Sequence, residues 1–210
     1  MKMNKMIPIT TLFLDIGGVL LTDGWGHEFR KLAVKEFHLN QQEIEDRHQS
    51  VFETFELDKI TMEEYLNLVI FYEQRTFTPA KFKEFMFACS ESDPKMIGLI
   101  RRLKAMYGLK IFAVSNESRE LNDFRIHKFR LNDFIDAFIS SCYVGLRKPN
   151  PEIFRLALDI AQVPTEQIVY IENTPMLVGI AEGLGIRSIW HTHYKSTYEQ
   201  LRSFGLEVEV

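Results

Sequence analysis

The stretch LFLDIGGVLL, residues 12–21, sets one acid, Asp15, in an apolar run and follows it with Gly17 and Gly18. Burying a lone carboxylate is costly unless it is paired or neutralised, so an acid there needs a partner or a task. Three other places carry reactive side chains in similar settings. Ser115 and Asn116 follow the apolar run LKIFAV, Lys148 precedes two prolines in GLRKPNPEIF, and Glu172 and Asn173 follow QIVYI. An acid, a hydroxyl, a lysine and a second acid suit group transfer to a carboxylate nucleophile, with a cation and hydrogen-bond donors nearby. Each residue also has a plainer role. Ser115 would serve as a helix cap, Lys148 as a solvated loop lysine, and Glu172 as an acid favoured by a helix dipole.

Those side chains need a scaffold to bring them together. Residues 10–16 read as a buried strand of a parallel sheet, bounded by Thr10-Thr11 and Gly17-Gly18. From Trp25 to about Phe87 the pattern is helical. Phe29, Leu32, Ala33 and Phe37 share one face, and Ile44, His48, Val51, Phe52 and Phe55 share another. Thr61 and Glu64 have capping-box spacing, and Thr78-Pro79 reads as a cap and first helical residue. Four helices with no strand between them are expected, their phenylalanines forming the core of a small helical unit. From Asp93 onward helices and strands alternate. A helix from Asp93-Pro94 to Gly108 leads to strand 109–115, a helix from Ser118, strand 135–140 and a helix from Pro151. Strand 167–172, a helix from Pro175 to about Leu184 and strand 186–190 complete the series. This alternation predicts an α/β fold, a Rossmann-like parallel sheet with helices on both faces. The core would span residues 1–21 and 92–210, and the helical insert residues 22–91. In open parallel sheets function collects at the carboxyl ends of the strands. Asp15, Ser115-Asn116 and Glu172-Asn173 end the first, second and fourth strands, and Lys148 follows the third.

Composition narrows the function classes. The chain has 210 residues, 46% apolar and 26% charged, with a net charge of −4. The basic footprint of a nucleic-acid binder is lacking. The basic-then-apolar start is broken by Asp15 and followed by no small-residue cleavage site, so a signal peptide is not expected. No uninterrupted apolar run is long enough to span a membrane. Cys89 and Cys142 lack disulfide-framework or metal-ligand spacing and read as buried thiols, in keeping with the cytoplasm.

Taken in order, Asp15-Ile16-Gly17-Gly18-Val19, Val114-Ser115-Asn116, Arg147-Lys148-Pro149-Asn150-Pro151-Glu152 and Ile171-Glu172-Asn173 resemble the haloacid dehalogenase-like hydrolase superfamily along nearly the whole chain. The helical insert resembles its C1-type cap. The resemblance implies a phosphatase acting on a small phosphate ester. Asp15 would be the nucleophile, forming an aspartyl-phosphate. Lys148 would neutralise phosphate charge, and Ser115 and the Asn116 amide would donate hydrogen bonds to the transferring oxygens. Mg²⁺ would be held by Asp15, the Gly17 carbonyl and Glu172, with Asn173 beside them. Gly17 and Gly18 would let the backbone turn sharply and approach metal and phosphate closely.

Two positions depart from the superfamily pattern. Gly17 stands where most of its phosphatases carry a second aspartate, the general acid and base, whose absence is worth roughly 10²–10⁴ in rate. Asn173 replaces the second acid of the Glu172-Asn173 pair, which weakens a metal site. Asp23, His27 and Glu28 follow the first strand and are candidates for the missing acid. The departures leave two alternatives: a catalytically weak binding or regulatory protein, and a haloacid dehalogenase, whose halide leaving group needs no proton. His191 and His193 have metal-pair spacing but read more simply as solvent-facing residues on an extended segment. Substrate identity and oligomeric state are not encoded in these motifs.

Overall fold

The computed structural model describes residues 7–208. The basic start weighed above as a leader, residues 1–6, lies outside them, as do residues 209–210. The chain begins with strand β1 (Thr11–Leu14) and then forms helices α1 (His27–Phe37), α2 (Gln41–Glu56), α3 (Met62–Val69) and α4 (Pro79–Ala88). Helix α5 (Pro94–Tyr107) leads into β2 (Lys110–Ser115), α6 (Arg119–Lys128), β3 (Ala137–Ser140) and the short α7 (Ser141–Val144). The chain continues through α8 (Glu152–Ala161), β4 (Ile168–Glu172), α9 (Pro175–Gly183), β5 (Arg187–Trp190) and α10 (Tyr194–Ser203).

The strands form one parallel sheet in the order β3-β2-β1-β4-β5. β1 is central and buried at every position, as the apolar run predicts for a strand covered on both faces. Alternate residues feed two cores. Leu12, Leu14, Ile111, Ala113, Val169 and Ile171 meet Met96, Leu99 and Leu103 of α5 on one face. Phe13, Phe112, Val114 and Tyr170 meet Ile153 and Phe154 of α8 on the other.

The four helices after β1 share a third apolar cluster that includes Ile44, Phe55, Tyr65, Leu66, Phe82 and Met86. Their caps follow the sequence. Thr61 and Glu64 form a reciprocal capping box, and Thr78 accepts from the Lys81 N–H ahead of Pro79 at the helix start. The chain leaves and returns through paired backbone: Thr22 N donates to Glu91 O (2.8 Å) and Asp93 N to Leu20 O (2.8 Å).

Two expectations need correction. Leu32 is 51% exposed, because α1 turns Arg30 and Ala33 inward instead. Arg30 is satisfied there by Glu45 at 2.8 and 3.0 Å and by the Trp25 carbonyl at 2.6 Å. The sequence reading also ended at the fifth strand and missed α10. Thr197 and Leu201, four residues apart, are its buried stripe.

Candidate active site

Asp15 stands just past the end of β1, its N–H donating to Ile171 O at 3.0 Å, and is 8% exposed. Its Oδ1 accepts from Ile16 N (2.9 Å) and Ser115 Oγ (2.7 Å) and lies 3.1 Å from Lys148 Nζ. Among the described residues its other oxygen, Oδ2, bonds to no protein group. Ser115 ends β2 and reaches Asp15 because both neighbouring strands run parallel and in register with β1.

Lys148 is 2% exposed and spans the two buried acids. Its ammonium donates to Glu172 Oε2 at 2.7 Å and to the Tyr170 hydroxyl at 3.2 Å. The Tyr170 hydroxyl donates in turn to Glu172 Oε2, and Thr174 N donates to Glu172 Oε1 at 2.9 Å. One cation therefore serves two carboxylates and sits closer to Glu172. Burial works against the charge of Glu172, yet Lys148 holds its carboxyl below the usual range. Burial pushes the Asp15 carboxyl up to about 7, with Lys148 opposing and the Glu172 charge reinforcing the rise. Burial likewise disfavours the Lys148 ammonium, but Asp15 and Glu172 more than offset it and raise its pKa.

The two glycines differ. Gly18 has φ +70°, the left-handed region, and a Cβ there would stand 2.0 Å from Asn173 Nδ2. Gly18 thus provides both the turn and the room for the Asn173 amide. Gly17 has no positive φ among the glycines that do, so turning does not explain it. A Cβ on Gly17 would instead stand 3.2 Å from Asp23 Oδ1.

A cavity of about 170 Å³ lies at these strand ends, lined by Asp15, Gly17, Asp23, Ser115, Lys148 and Asn173 among others. Glu172 does not line it. It is completely buried, and its two oxygens are taken by Lys148, Tyr170 and Thr174. Consecutive residues at a strand end face opposite ways, so Asn173 borders the cavity and Glu172, expected beside it as a ligand, lies behind it against Lys148. The Asn116 side chain is engaged within the protein. It donates to Lys148 O and accepts from Lys148 N, both at 2.8 Å, clamping the lysine loop with both of its polar atoms.

A larger cavity of about 330 Å³ lies beyond, toward the helical unit, lined by Trp25, His27, Arg30, His48, Gln49 and Phe52 among others. Asp23, Gly24, Glu56, Asn116 and Glu117 line both cavities. Burial, with Arg30 adding to it, pushes the His48 imidazole down to about 3, so it is neutral near neutral pH. The sequence reading assigned no role to Arg147 or Arg125. Arg147 ties Glu56 (2.9 Å) and Glu53 (2.8 Å) of α2 to the lysine loop. Arg125 is buried, pairs with Glu117 at 2.5 Å and donates to Thr22 O at 2.5 Å. Both arginines lie far in sequence from the segments they hold, so no local pattern exposes them.

Of the acid candidates after β1, His27 pairs with Glu45 at 3.2 Å, and Glu28 pairs with Lys31 on the surface. Only Asp23 borders the smaller cavity. His191 is buried and hydrogen-bonds Thr197 at 2.7 Å, rather than facing solvent. Among the described residues no group of three or more His, Cys, Asp or Glu could hold a metal. The groups at the strand ends are the free Asp15 Oδ2 and, in the cavity lining, Gly17 and Asn173, whose Oδ1 accepts from Thr174 Oγ1 at 3.4 Å while its Nδ2 lies beside Gly18. They suit Mg²⁺, which takes one or two carboxylates and keeps several waters. Cys89 is partly exposed, Cys142 is buried, and neither forms a disulfide. No helix among the described residues is long and apolar enough to cross a membrane.

Residues 9–182 match the family model described as haloacid dehalogenase-like hydrolase. Among curated proteins the chain is 26% identical over 210 residues to drimenol cyclase drtB of Aspergillus calidoustus, covering 96% of this chain and 38% of that protein. It is 29% identical over 132 residues to the pyrimidine 5′-nucleotidase YjjG of Escherichia coli, covering 60% and 59%. The chain thus spans less than two thirds of both relatives. Among solved structures, the HAD family enzyme bt-2542 of Bacteroides thetaiotaomicron, in complex with magnesium and inorganic phosphate, superposes with a TM-score of 0.71 at 20% identity. That match covers 86% of this chain and 92% of the other.

Proposed function

The chain belongs to the haloacid dehalogenase-like hydrolases, and from that premise we propose that it is a Mg²⁺-dependent phosphatase of a small phosphorylated metabolite. One observation carries the reading. Asp15 has one oxygen held by Ser115 and Lys148 and the other free, at the edge of a cavity. That is the arrangement a carboxylate nucleophile needs. The nucleotidase among the relatives and the magnesium–phosphate complex of the structural neighbour support the same class.

In the proposed mechanism Asp15 Oδ2 attacks phosphorus, and the bond to the leaving oxygen breaks, giving an aspartyl-phosphate. Water then attacks phosphorus and restores Asp15. Lys148 orients Asp15 and offsets negative charge in the cavity. Ser115 fixes the Asp15 rotamer, and Asn116 fixes the lysine loop. Asp15, the Gly17 carbonyl and Asn173 would hold Mg²⁺, which when bound would offset the charge of the phosphate and of Asp15. Glu172 contributes by fixing Lys148. The helical segment, residues 22–91, acts as a cap whose cavity receives the leaving group and excludes water. The two free thiols agree with a cytoplasmic setting.

The test is hydrolysis of an aryl phosphate with and without Mg²⁺, beside a halide-release assay on 2-haloacids, for wild type and Asp15→Asn. Mg²⁺-dependent phosphate release that Asp15→Asn abolishes is the expected result. Halide release without metal would make the chain a dehalogenase. Neither activity would leave a binding protein on the hydrolase fold.

A further inference from the structure

We infer that Asp23 supplies the acid and base that position 17 lacks; the inference rests on the phosphatase reading. The carboxylate of Asp23 lies against two glycines. A Cβ on Gly17 would meet Asp23 Oδ1 at 3.2 Å, and a Cβ on Gly26 would meet Asp23 Oδ2 at 3.0 Å. A carboxylate borne by residue 17 would have to share the space that Asp23 already occupies. On this inference the acid stands on the loop above β1 rather than at its end, and Gly17 leaves that carboxylate room.

The loop that carries Asp23 is pinned on either side. Arg125, 1% exposed, donates to the carbonyl of Thr22, the residue before Asp23. Gly24, the residue after it, packs so closely on Arg125 that a Cβ would stand 2.8 Å from Nη1. Arg125 is itself fixed by Glu117 at 2.5 Å. The backbone on either side of Asp23 is fixed this way, and among the described residues the carboxylate itself is left free of any structural bond.

Three acids line both cavities, and two are committed. Glu117 belongs to Arg125, and Glu56 to Arg147 at 2.9 Å. Among the described residues Asp23 alone of the three has no ion pair. It lines both the smaller cavity, with Asp15, and the larger one, so a leaving group reaching from Asp15 toward the helical unit would pass it. In the first step Asp15 bonds to phosphorus while the leaving oxygen takes the electron pair of the breaking bond and a proton from Asp23. In the second, Asp23 takes a proton from water as the water oxygen bonds to phosphorus. The electron pair of the Asp15–phosphorus bond returns to Asp15, and Asp23 is protonated again.

The experiment measures single-turnover and steady-state rates for aryl and primary alkyl phosphates with wild type, Asp23→Asn and the relocation variant Gly17→Asp/Asp23→Gly. Asp23 is exposed and unpaired, so the fold should survive, and circular dichroism checks it. The expected losses for Asp23→Asn are about 10²–10⁴-fold on alkyl phosphates and in phosphoenzyme breakdown, with phosphoenzyme formation from an aryl phosphate changed by less than about tenfold. A burst should therefore appear or sharpen. The relocation variant should recover at least about tenfold on alkyl phosphates relative to Asp23→Asn, because the acid is back in the same space. Equal losses for both leaving groups, together with a raised Mg²⁺ requirement, would make Asp23 a metal ligand and overturn the inference. Unchanged rates in Asp23→Asn, with Asp15-dependent turnover intact, would overturn it and leave the phosphatase reading standing. A folded wild type with no turnover of any phosphate ester would overturn both.

Discussion

Replacing Lys148 by methionine keeps most of the length of the side chain and removes the one cation between two buried acids. The ammonium lies 2.7 Å from Glu172 and 3.1 Å from Asp15. Without it Glu172, which is fully buried, keeps only the Tyr170 hydroxyl and the Thr174 N–H. Removing one partner of a buried ion pair costs about 3–5 kcal/mol. That is a large part of the roughly 5–15 kcal/mol of a typical domain, so the variant should fold but melt at much lower urea. The cost depends on pH. In wild type Glu172 is depressed, so its stabilisation is present above its unfolded pKa and lost as pH falls through the folded one. In the variant burial is unopposed, the native state takes up protons that the unfolded state does not, and stability rises as pH falls. The loss should therefore be larger at pH 8 than at pH 5. Adding Glu172→Gln removes one orphaned charge, keeps one acceptor oxygen for the Thr174 N–H and turns an NH₂ donor toward the Tyr170 hydroxyl oxygen, and should recover roughly 1–3 kcal/mol at pH 8. Urea unfolding of the chelated protein, followed by fluorescence and circular dichroism, measures all three variants. A loss below about 1 kcal/mol at pH 8, the level of a surface pair, would refute the reasoning. So would a double variant less stable than Lys148→Met.

Three further outcomes follow from the same geometry. Gly18→Ala should cost about 1–3 kcal/mol from its left-handed φ alone and should weaken Mg²⁺ binding by displacing the Asn173 amide, which calorimetry and urea unfolding will read separately. Asp15 is pushed up to about 7, so between its unfolded pKa near 3.8 and about 7 the metal-free native state binds the extra proton and stability falls as pH rises. Asp15→Asn should remove that slope and be the more stable protein in chelator at pH 8, with the difference closing toward pH 4. His48, pushed down to about 3, should show no imidazole titration between pH 5 and 8 by NMR.

Much of the scaffold was legible because buried parallel strands write themselves as apolar runs, and caps such as Thr61-Glu64 and Asp93-Pro94 mark helix starts. Asp15, Ser115 and Lys148 stand out because polar groups at the ends of such runs are conspicuous, and the structure brings all three within hydrogen-bonding reach. What the sequence did not reveal was direction. Glu172 and Asn173 are neighbours in sequence, and only the packing of Tyr170 and Lys148 decides which faces the cavity. Nothing local reveals that the side-chain amide of Asn116 closes on the backbone of Lys148. Asp23 was one of three candidates of similar spacing. The inference that singles it out rests partly on Arg125, which lies 103 residues from the Thr22 carbonyl it binds. Leu32 was misread because helical periodicity does not anticipate an arginine turned inward by Glu45 and a carbonyl.

The central claim is that Asp15 carries the phosphoryl group. Rapid-quench mass spectrometry of the Mg²⁺-loaded protein mixed with an aryl phosphate tests it most directly. The account predicts a single phosphoryl adduct on the peptide containing Asp15, formed faster than steady-state turnover and absent in Asp15→Asn. Turnover with no adduct on that peptide, or an adduct that persists in Asp15→Asn, would contradict it.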